Sequence, residues 1–236
     1  MPTLRTYLSD MCMYTTTATV VAVADGAFTT DKSPFFVGGG GQPADTGTVN
    51  GVPLTRIHYD HGHDAVWHTA DLALAAGDAV QLAVDVGQRQ LVSRFHTALH
   101  ILNTLALTHY QAWLTGAAIA SEYARIDIKV DVLDPAMIAD LEARMNTTIA
   151  ANHAIRTWSI PEAEFAQRPD LLRTINVAPP AYHGQIRVVE IVGFDAQACG
   201  GTHVLQTADI GPCEIFKSEN KGRQNKRLYV RFVADQ

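Results

Sequence analysis

The sequence predicts an α+β protein in two parts: a small N-terminal β-barrel-like domain over residues 1–88 and an α+β domain over residues 89–236, with helices packed on an antiparallel sheet. Three observations carry that expectation. Short β-branched and apolar runs, separated by Gly, Pro and Asp, dominate the first part. A long stretch without Pro or Gly follows, and its apolar residues recur at spacings of three and four. Beyond it, alternating strand-like segments surround a second helical stretch.

In the first part, Thr19–Ala24 is β-branched and apolar, and the stretch Asp31–Gly51 is rich in turn residues. Pro53–His58, Ala65–His68 and Ala79–Val86 read as further strands, the last opened by a Gly77-Asp78 turn. Only short helix-compatible pieces such as Ala70–Ala76 interrupt the strands, which points to a small barrel or sandwich. In the second part a helix is expected from Leu91 to Trp113, ended by Gly116. Ala124–Val130 alternates as a strand. Asp134 is placed to cap a second helix, with Pro135 in its first turn, running to about Asn152. Ala154–Pro161, Ile186–Val192, Ala208–Ser218 and Arg227–Val233 complete the strands.

Composition narrows the function classes. The 236 residues are 47% hydrophobic, 18% charged and 8% aromatic, a globular profile with material for a core. No run approaches the ~18 apolar residues that span a bilayer. The N-terminus lacks a basic segment leading into an apolar one, so neither export nor a membrane partner is expected. Three widely spaced cysteines, Cys12, Cys199 and Cys213, do not form a disulfide framework and fit a reducing cytoplasm. The net charge of −6 weighs against a polyanionic partner, but its distribution does not. Lys217, Lys221, Arg223, Lys226, Arg227 and Arg231 face a single acid, Glu219, in the same stretch. That cluster is either a solvated turn and strand edge or a local phosphate-binding patch.

Two motifs carry chemistry. His96 and His100 lie four residues apart on the expected helix, so both imidazoles leave the same face. Cys199-Gly200-Gly201-Thr202-His203 offers a thiolate and a third imidazole across a Gly-Gly pair that lets the backbone bend. Each half is a weak signal alone. Together, roughly a hundred residues apart, they make a four-donor set suited to Zn2+. A rival cluster, His58, His61, His63 and His68 with Asp60 and Asp64, reads as a solvated turn between strands. Cys213 reads as a small buried hydrophobe. A third element, Gly38 to Gly41 within Pro34–Gly47, is either a flexible loop or a backbone cradle. It matches neither the GK[ST] nor the GxGxxG pattern, so a nucleoside triphosphate is not expected.

Taken together, the segment Phe36–Gly47, the pair His96/His100 and the run Cys199–His203 resemble the AlaX family, freestanding relatives of the alanyl-tRNA synthetase editing domain. The flanking Arg187-Val188-Val189, Phe194-Asp195, Thr207–Gly211 and Lys221–Arg227 are similar too, and the likeness covers nearly the whole chain. The glycine motif resembles that of the longer type, which implies a barrel domain before the editing domain. Departures from the family pattern are Phe36 for Tyr, Val37 for Pro, Asp209 for Glu, and Ala118 where a polar residue is usual.

The resemblance implies a zinc-dependent hydrolase that deacylates mischarged tRNA(Ala), above all the seryl and also the glycyl ester, with His96, His100, Cys199 and His203 on the metal. A pocket that hydrogen-bonds the serine hydroxyl can reject alanine, which lacks it. Thr97 and Thr115 are the candidates for that contact, with Thr202 beside them. Gly39, Gly40, Gly41, Gln42 and Asp45 are expected to fold back as one wall of the pocket. Lys217, Lys221, Arg223, Lys226 and Arg227 are expected to meet tRNA phosphates. The alternatives are a non-catalytic tRNA-binding module with a structural zinc, and a metallohydrolase of small esters or amides.

Overall fold

The structure, a computed structural model, describes residues 2–173 and 179–233. It divides into two units, Met1–Leu91 and Val92–Gln236.

The first unit holds eight strands: β1 (Leu4–Arg5), β2 (Thr15–Ala24), β3 (Ala27–Thr30), β4 (Lys32–Ser33), β5 (Gly47–Val49), β6 (Val52–Asp60), β7 (Ala65–Ala70) and β8 (Ala79–Val84). Period-two alternation is plain in β2, where Thr15, Thr17 and Thr19 are exposed while Ala18 and Val20 are buried. Hydrogen bonding runs β2-β3-β7-β6-β5-β8, and β8 pairs back onto β2, so the ladder closes on itself. Closure removes the unpaired edges on which other chains could add. Ala18, Val20, Phe28, Phe35, Val49 and Leu82 are among the side chains that fill the interior. Strand β3 was not expected from the sequence. It is joined to β2 by Asp25-Gly26, both with positive φ (50° and 75°), a hairpin signal that the sequence does contain. Residues Ala70–Ala76, compatible with a helix, form none, and only Ala70 is in a strand.

The glycine stretch is a tight turn. Gly39 and Gln42 exchange two backbone hydrogen bonds of 3.0 Å around Gly40 and Gly41, whose φ values are +60° and +88°. Two successive left-handed residues define a type I′ turn, which side chains disfavour. Asp45, 5% exposed, accepts the Phe36 N–H at 2.5 Å and pairs with the Arg89 guanidinium, whose Nε lies 2.8 Å from Asp45 Oδ1. Arg89 is 1% exposed and also donates to the carbonyls of Pro34 and Met11. Breaking a buried pair strands one charge away from water, at a cost of about 3–5 kcal/mol. Arg89→Met should therefore lower stability by about that amount in urea denaturation, and adding Asp45→Leu should recover much of the loss. An unchanged midpoint for Arg89→Met would contradict this role.

Helix α1 (Val86–Tyr110) begins earlier and ends earlier than the apolar pattern indicated. Its start is set by Asp85, whose Oδ1 accepts the Gln88 N–H at 3.0 Å. Its end is set by Gln111 in the left-handed region (φ 53°), with Ala112 N–H on the Ala106 carbonyl and Gln111 N–H on that of Leu107. This glycine-free left-handed ending frees Trp113–Ile119 to form strand β9, so Gly116 lies inside a strand and does not terminate the helix.

The second unit continues with β10 (Ala124–Lys129), α2 (Pro135–Ala150), β11 (Ile155–Pro161), the one-turn α3 (Glu162–Phe165), β12 (Ala181–Tyr182), β13 (Gln185–Ile191), β14 (Asp195–Ala198), β15 (Cys213–Asn220) and β16 (Asn225–Phe232). Asp134 caps α2 by accepting the Met137 N–H at 2.8 Å, as its position before Pro135 predicts. Thr207–Ile210 forms a short 3-10 turn, so the strand expected from Ala208 starts only at Cys213. The sheets are antiparallel: β15-β16-β10-β9 in one, and β11-β13-β12 with β14 on β13 in the other. Among the described residues no helix is long and apolar enough to cross a membrane.

Candidate metal centre

One face of α1 is polar although the helix is largely buried. Ser93, His96, Thr97, His100, Asn103 and Thr104 follow one another at three- and four-residue intervals, the spacing that aligns side chains on a helix. Phe95, Leu99, Leu102, Leu105 and Ala106 are buried around the rest of the helix. The stripe meets the segment Asp195–His203 bond for bond. Ser93 Oγ donates to Thr202 Oγ1 at 2.9 Å, Asn103 donates to Gln197 at 3.2 Å, and Thr104 donates to Asp195 at 2.8 Å. Gln197 returns two hydrogen bonds, to Thr104 Oγ1 and to the His100 carbonyl.

At the centre of this seam the four expected donors meet. One ligating atom each from His96, His100, Cys199 and His203 lies within 4.8 Å of the others. Cys199 Sγ is 3.6 Å from His96 Nε2 and 3.4 Å from His203 Nε2. Arms of about 2.0 Å to nitrogen and 2.3 Å to sulfur, opened to a tetrahedral angle, put N and S roughly 3.5 Å apart. The sulfur thus stands from two of the rings at the separation a small tetrahedral ion needs, and His100 completes a group no wider than 4.8 Å. The Gly-Gly pair serves this loop through space more than through bending: neither glycine has positive φ, and a Cβ on Gly200 would lie 2.9 Å from Pro180 Cγ.

The charge state suits a cation. Burial drives His96 and His203 well below the ordinary imidazole pKa, helped by the neighbouring rings and Arg187, and lowers His100 to about 3 with help from Arg173 and Arg187. At neutral pH all three rings are therefore neutral and have lone pairs to offer. Burial raises the Cys199 thiol, and the Gly201 N–H on its sulfur, at 3.4 Å, works against that rise. A bound cation would supply the missing stabilisation of the thiolate.

Thr97 is fully buried and faces the loop. Its hydroxyl donates to the Ser93 carbonyl at 2.9 Å, accepts the Val204 N–H at 3.3 Å and lies 3.1 Å from His203 Nδ1. With its one proton committed to Ser93, it can only accept from the ring. The network thus assigns the proton to Nδ1 and leaves Nε2 free toward Cys199. Thr97 orients a ligand and is not placed as a substrate contact. His96 is held in a similar way by a hydrogen bond to the Thr202 backbone.

Two residues of the site were missed from the sequence. Arg187, 4% exposed, donates to the carbonyls of Cys199 and Gly201 at 2.9 and 2.8 Å and so fixes the loop. Arg173 pairs with Asp195 and bears on His100. A charged residue between Ile186 and Val188 in a buried strand was the visible signal for Arg187. Arg173 stands in no regular pattern.

The remaining expected residues stand on other elements of their units. Thr115 is on β9, its hydroxyl bonded to the Asp127 carbonyl and to Asn225. Gly39, Gly40, Gly41, Gln42 and Asp45 belong to the first unit, where Asp45 is engaged by Arg89 and Phe36. Of the basic residues, Lys226 is buried, and its ammonium donates to Asn220, Gly222 and Arg223, which leaves no proton for a phosphate. Arg227 makes two hydrogen bonds to Asp127, and Lys217 and Lys221 share Glu219. Arg223 is exposed. In the rival histidine segment, His61 and His63 are exposed, His63 pairs with Asp60, and His68 is buried on Ser33 with its pKa lowered to about 4 by burial. Among the described residues only the His96 group brings three or more ligating side chains together. Cys213 is buried and its thiol is pushed up to about 12 by burial, in keeping with an inert core residue.

Fold and site together define an α+β protein with a largely buried cluster of three imidazoles and one thiol that could hold a metal ion. Residues 186–229, which span the cysteine-histidine loop, match the family described as the threonyl and alanyl tRNA synthetase second additional domain. The chain is 30% identical to the alanyl-tRNA editing protein AlaX-M of Methanosarcina barkeri, over 96% of this chain and 98% of the relative. It is 32% identical to the protein of the same name from Saccharolobus solfataricus, over 94% and 96%. It is also 32% identical to the alanine–tRNA ligase of Methanosarcina acetivorans, over 86% of this chain but 23% of that larger protein. The chain belongs to the AlaX-M family of alanyl-tRNA editing proteins.

Outer partners that orient a ligating histidine are worth about 10–100-fold in metal affinity. Thr97→Val should weaken binding of Zn2+ or Co2+ by about that factor in competition with a chromophoric chelator, and Thr97→Ser should restore it. A valine variant that binds either ion with unchanged affinity would contradict the orienting role.

Proposed function

We propose that this protein is a zinc-dependent trans-editing hydrolase that deacylates mischarged tRNA(Ala), with the seryl ester as main substrate and the glycyl ester as a second. The observation that carries the reading is the convergence of His96, His100, Cys199 and His203 to within 4.8 Å, in a chain whose relatives are named alanyl-tRNA editing proteins. A His/Cys donor set selects a borderline-soft ion such as Zn2+ over Mg2+ or Ca2+. When bound, zinc would supply a Lewis acid for the ester carbonyl and lower the pKa of a coordinated water.

The protein's own groups prepare that position. Thr97 and the Thr202 backbone hold two rings with their donor atoms inward, and Arg187 clamps the loop that brings Cys199 and His203. Arg173 and Arg187 add positive charge beside the donors, where negative charge would develop on an ester oxygen. Selectivity against alanine calls for a group that bonds the serine hydroxyl, so that the hydroxyl-free substrate leaves it unpaired. Thr202 and Thr115 remain the hydroxyls proposed for this, Thr202 with its Oγ1 already engaged by Ser93.

A second reading has a specific observation behind it. A set of four protein donors is the signature of a closed, structural metal, whereas catalysis needs an open position. On that reading the protein binds tRNA without cleaving it. The deciding experiment compares seryl-, glycyl- and alanyl-tRNA(Ala) as substrates, with and without a chelator and with zinc added back. The expected result is hydrolysis of the seryl ester, sparing of the alanyl ester, and loss of about 100-fold or more in rate for Cys199→Ala or on chelation, recovered by zinc in the unaltered chain. Equal rates with and without stoichiometric zinc would overturn the catalytic reading.

A further inference from the structure

The outward face of the β15-β16-β10-β9 sheet has a feature that the metal site does not use. Along β16, Leu228 and Val230 are buried, while Arg227, Tyr229 and Arg231 point the other way. Opposite Tyr229 the pairing of β15 slips: Ile215 faces Val230 and Lys217 faces Tyr229, so Phe216 is an extra residue. A bulge of this kind gives up regular pairing and re-aims a side chain. Here it turns Phe216 out beside Tyr229, with ring centroids 6.1 Å apart. Tyr123, from the turn before β10, completes a triangle at 5.5 Å from Tyr229 and 6.4 Å from Phe216.

The rings are inclined at 58–65° to one another, so none of the three uses up its neighbour's faces by parallel stacking. Phe216 is 39% exposed and Tyr123 36%, which is much apolar surface for a bulge to turn toward water. Cations frame the triangle: Lys217 lies 4.9 Å over the Tyr229 ring and the Arg231 guanidinium 4.8 Å over that of Phe216. Counting the Arg125 and Arg227 pair on Asp127, and Lys221 at Glu219, five cations around the rings meet three carboxylates, on a chain whose net charge is −6. Aromatic rings interleaved with Lys and Arg on an open antiparallel sheet are the chemistry that takes up unpaired nucleotides, the bases stacking on rings or guanidinium planes and the phosphates meeting the cations.

We infer that the Tyr123/Phe216/Tyr229 face is a stacking platform for unpaired bases of an RNA, an assignment that rests on the tRNA reading above and adds the surface that holds it. The test is fluorescence anisotropy of the full-length protein with a labelled single-stranded RNA 12-mer, with a duplex of the same length, and with uncharged tRNA. It runs beside hydrolysis of a seryl ester of adenosine, which carries no phosphate to engage the cations.

Tyr229→Ala and Phe216→Ala should each weaken single-strand binding about 5- to 150-fold, the equivalent of one stacked base. Tyr229→Phe and Phe216→Trp, which keep a ring, should bind like the parent, and the small-ester rate should not change. Unchanged single-strand affinity in the alanine variants would overturn the platform. So would an equal loss for the duplex, or a concentration-dependent dimer that the alanine variants abolish without any effect on RNA. Absence of small-ester and seryl-tRNA hydrolysis, with ring-dependent RNA binding intact, would instead refute the hydrolase reading and leave the platform standing.

Discussion

A buried helix with a polar stripe must find a partner for each group on it, because an unpaired buried donor or acceptor costs about 1–3 kcal/mol. Helix α1 meets this constraint for Ser93, Thr104 and the Asn103 amide N–H by docking its stripe on one segment, Asp195–His203. The same contacts that satisfy Ser93 and Thr104 fix the rotation of the helix and the path of the loop. Once both are fixed, His96 and His100 on one side and Cys199 and His203 on the other have little choice but to face each other. The donor cluster is the middle of a hydrogen-bonded seam, with Thr97 bonded both to its own helix and to His203 in the opposite loop.

The residues behind the four donors do as much for the site as the donors themselves. Arg187 fastens the loop backbone through two carbonyls, and its charge also reaches the three imidazoles and the thiol. Burial and positive charge together keep the rings unprotonated at neutral pH, ready to bind without first releasing protons. The first unit uses a comparable device for another end. The Asp45–Arg89 pair ties the glycine turn to the start of α1, so a conspicuous glycine motif is held by a buried ion pair within its own unit.

Much of this was legible in the residues. The donor set was visible because metal ligands obey spacing rules: four residues along a helix for His96/His100, and a Cys and His across a small-residue loop for Cys199/His203. The strands and α2 were visible through alternation and the Asp134-Pro135 cap. What was missed depended on tertiary context. Gln111 ends α1 in a left-handed conformation that sequence reasoning assigns to glycine, so the helix was read on to Trp113, where β9 begins, and Gly116 as its stop. Thr97 was read as a substrate contact because its bond to His203 links residues 106 apart. Lys226 was read as a phosphate ligand because inward and outward positions of β16 depend on register, which charge counting ignores. The polar stripe was present at helical spacing all along, but periodicity was sought only among apolar residues.

The proposed metal site places three imidazoles and one thiolate on a single ion. X-ray absorption at the zinc edge, on protein loaded with one Zn2+ per chain, tests it most directly. The account predicts a first shell with nitrogen scatterers at about 2.0 Å and one sulfur at about 2.3 Å, the sulfur disappearing in Cys199→Ser and persisting in Cys12→Ser and Cys213→Ser. A shell of nitrogen and oxygen alone, or a sulfur that survives in Cys199→Ser, would contradict it.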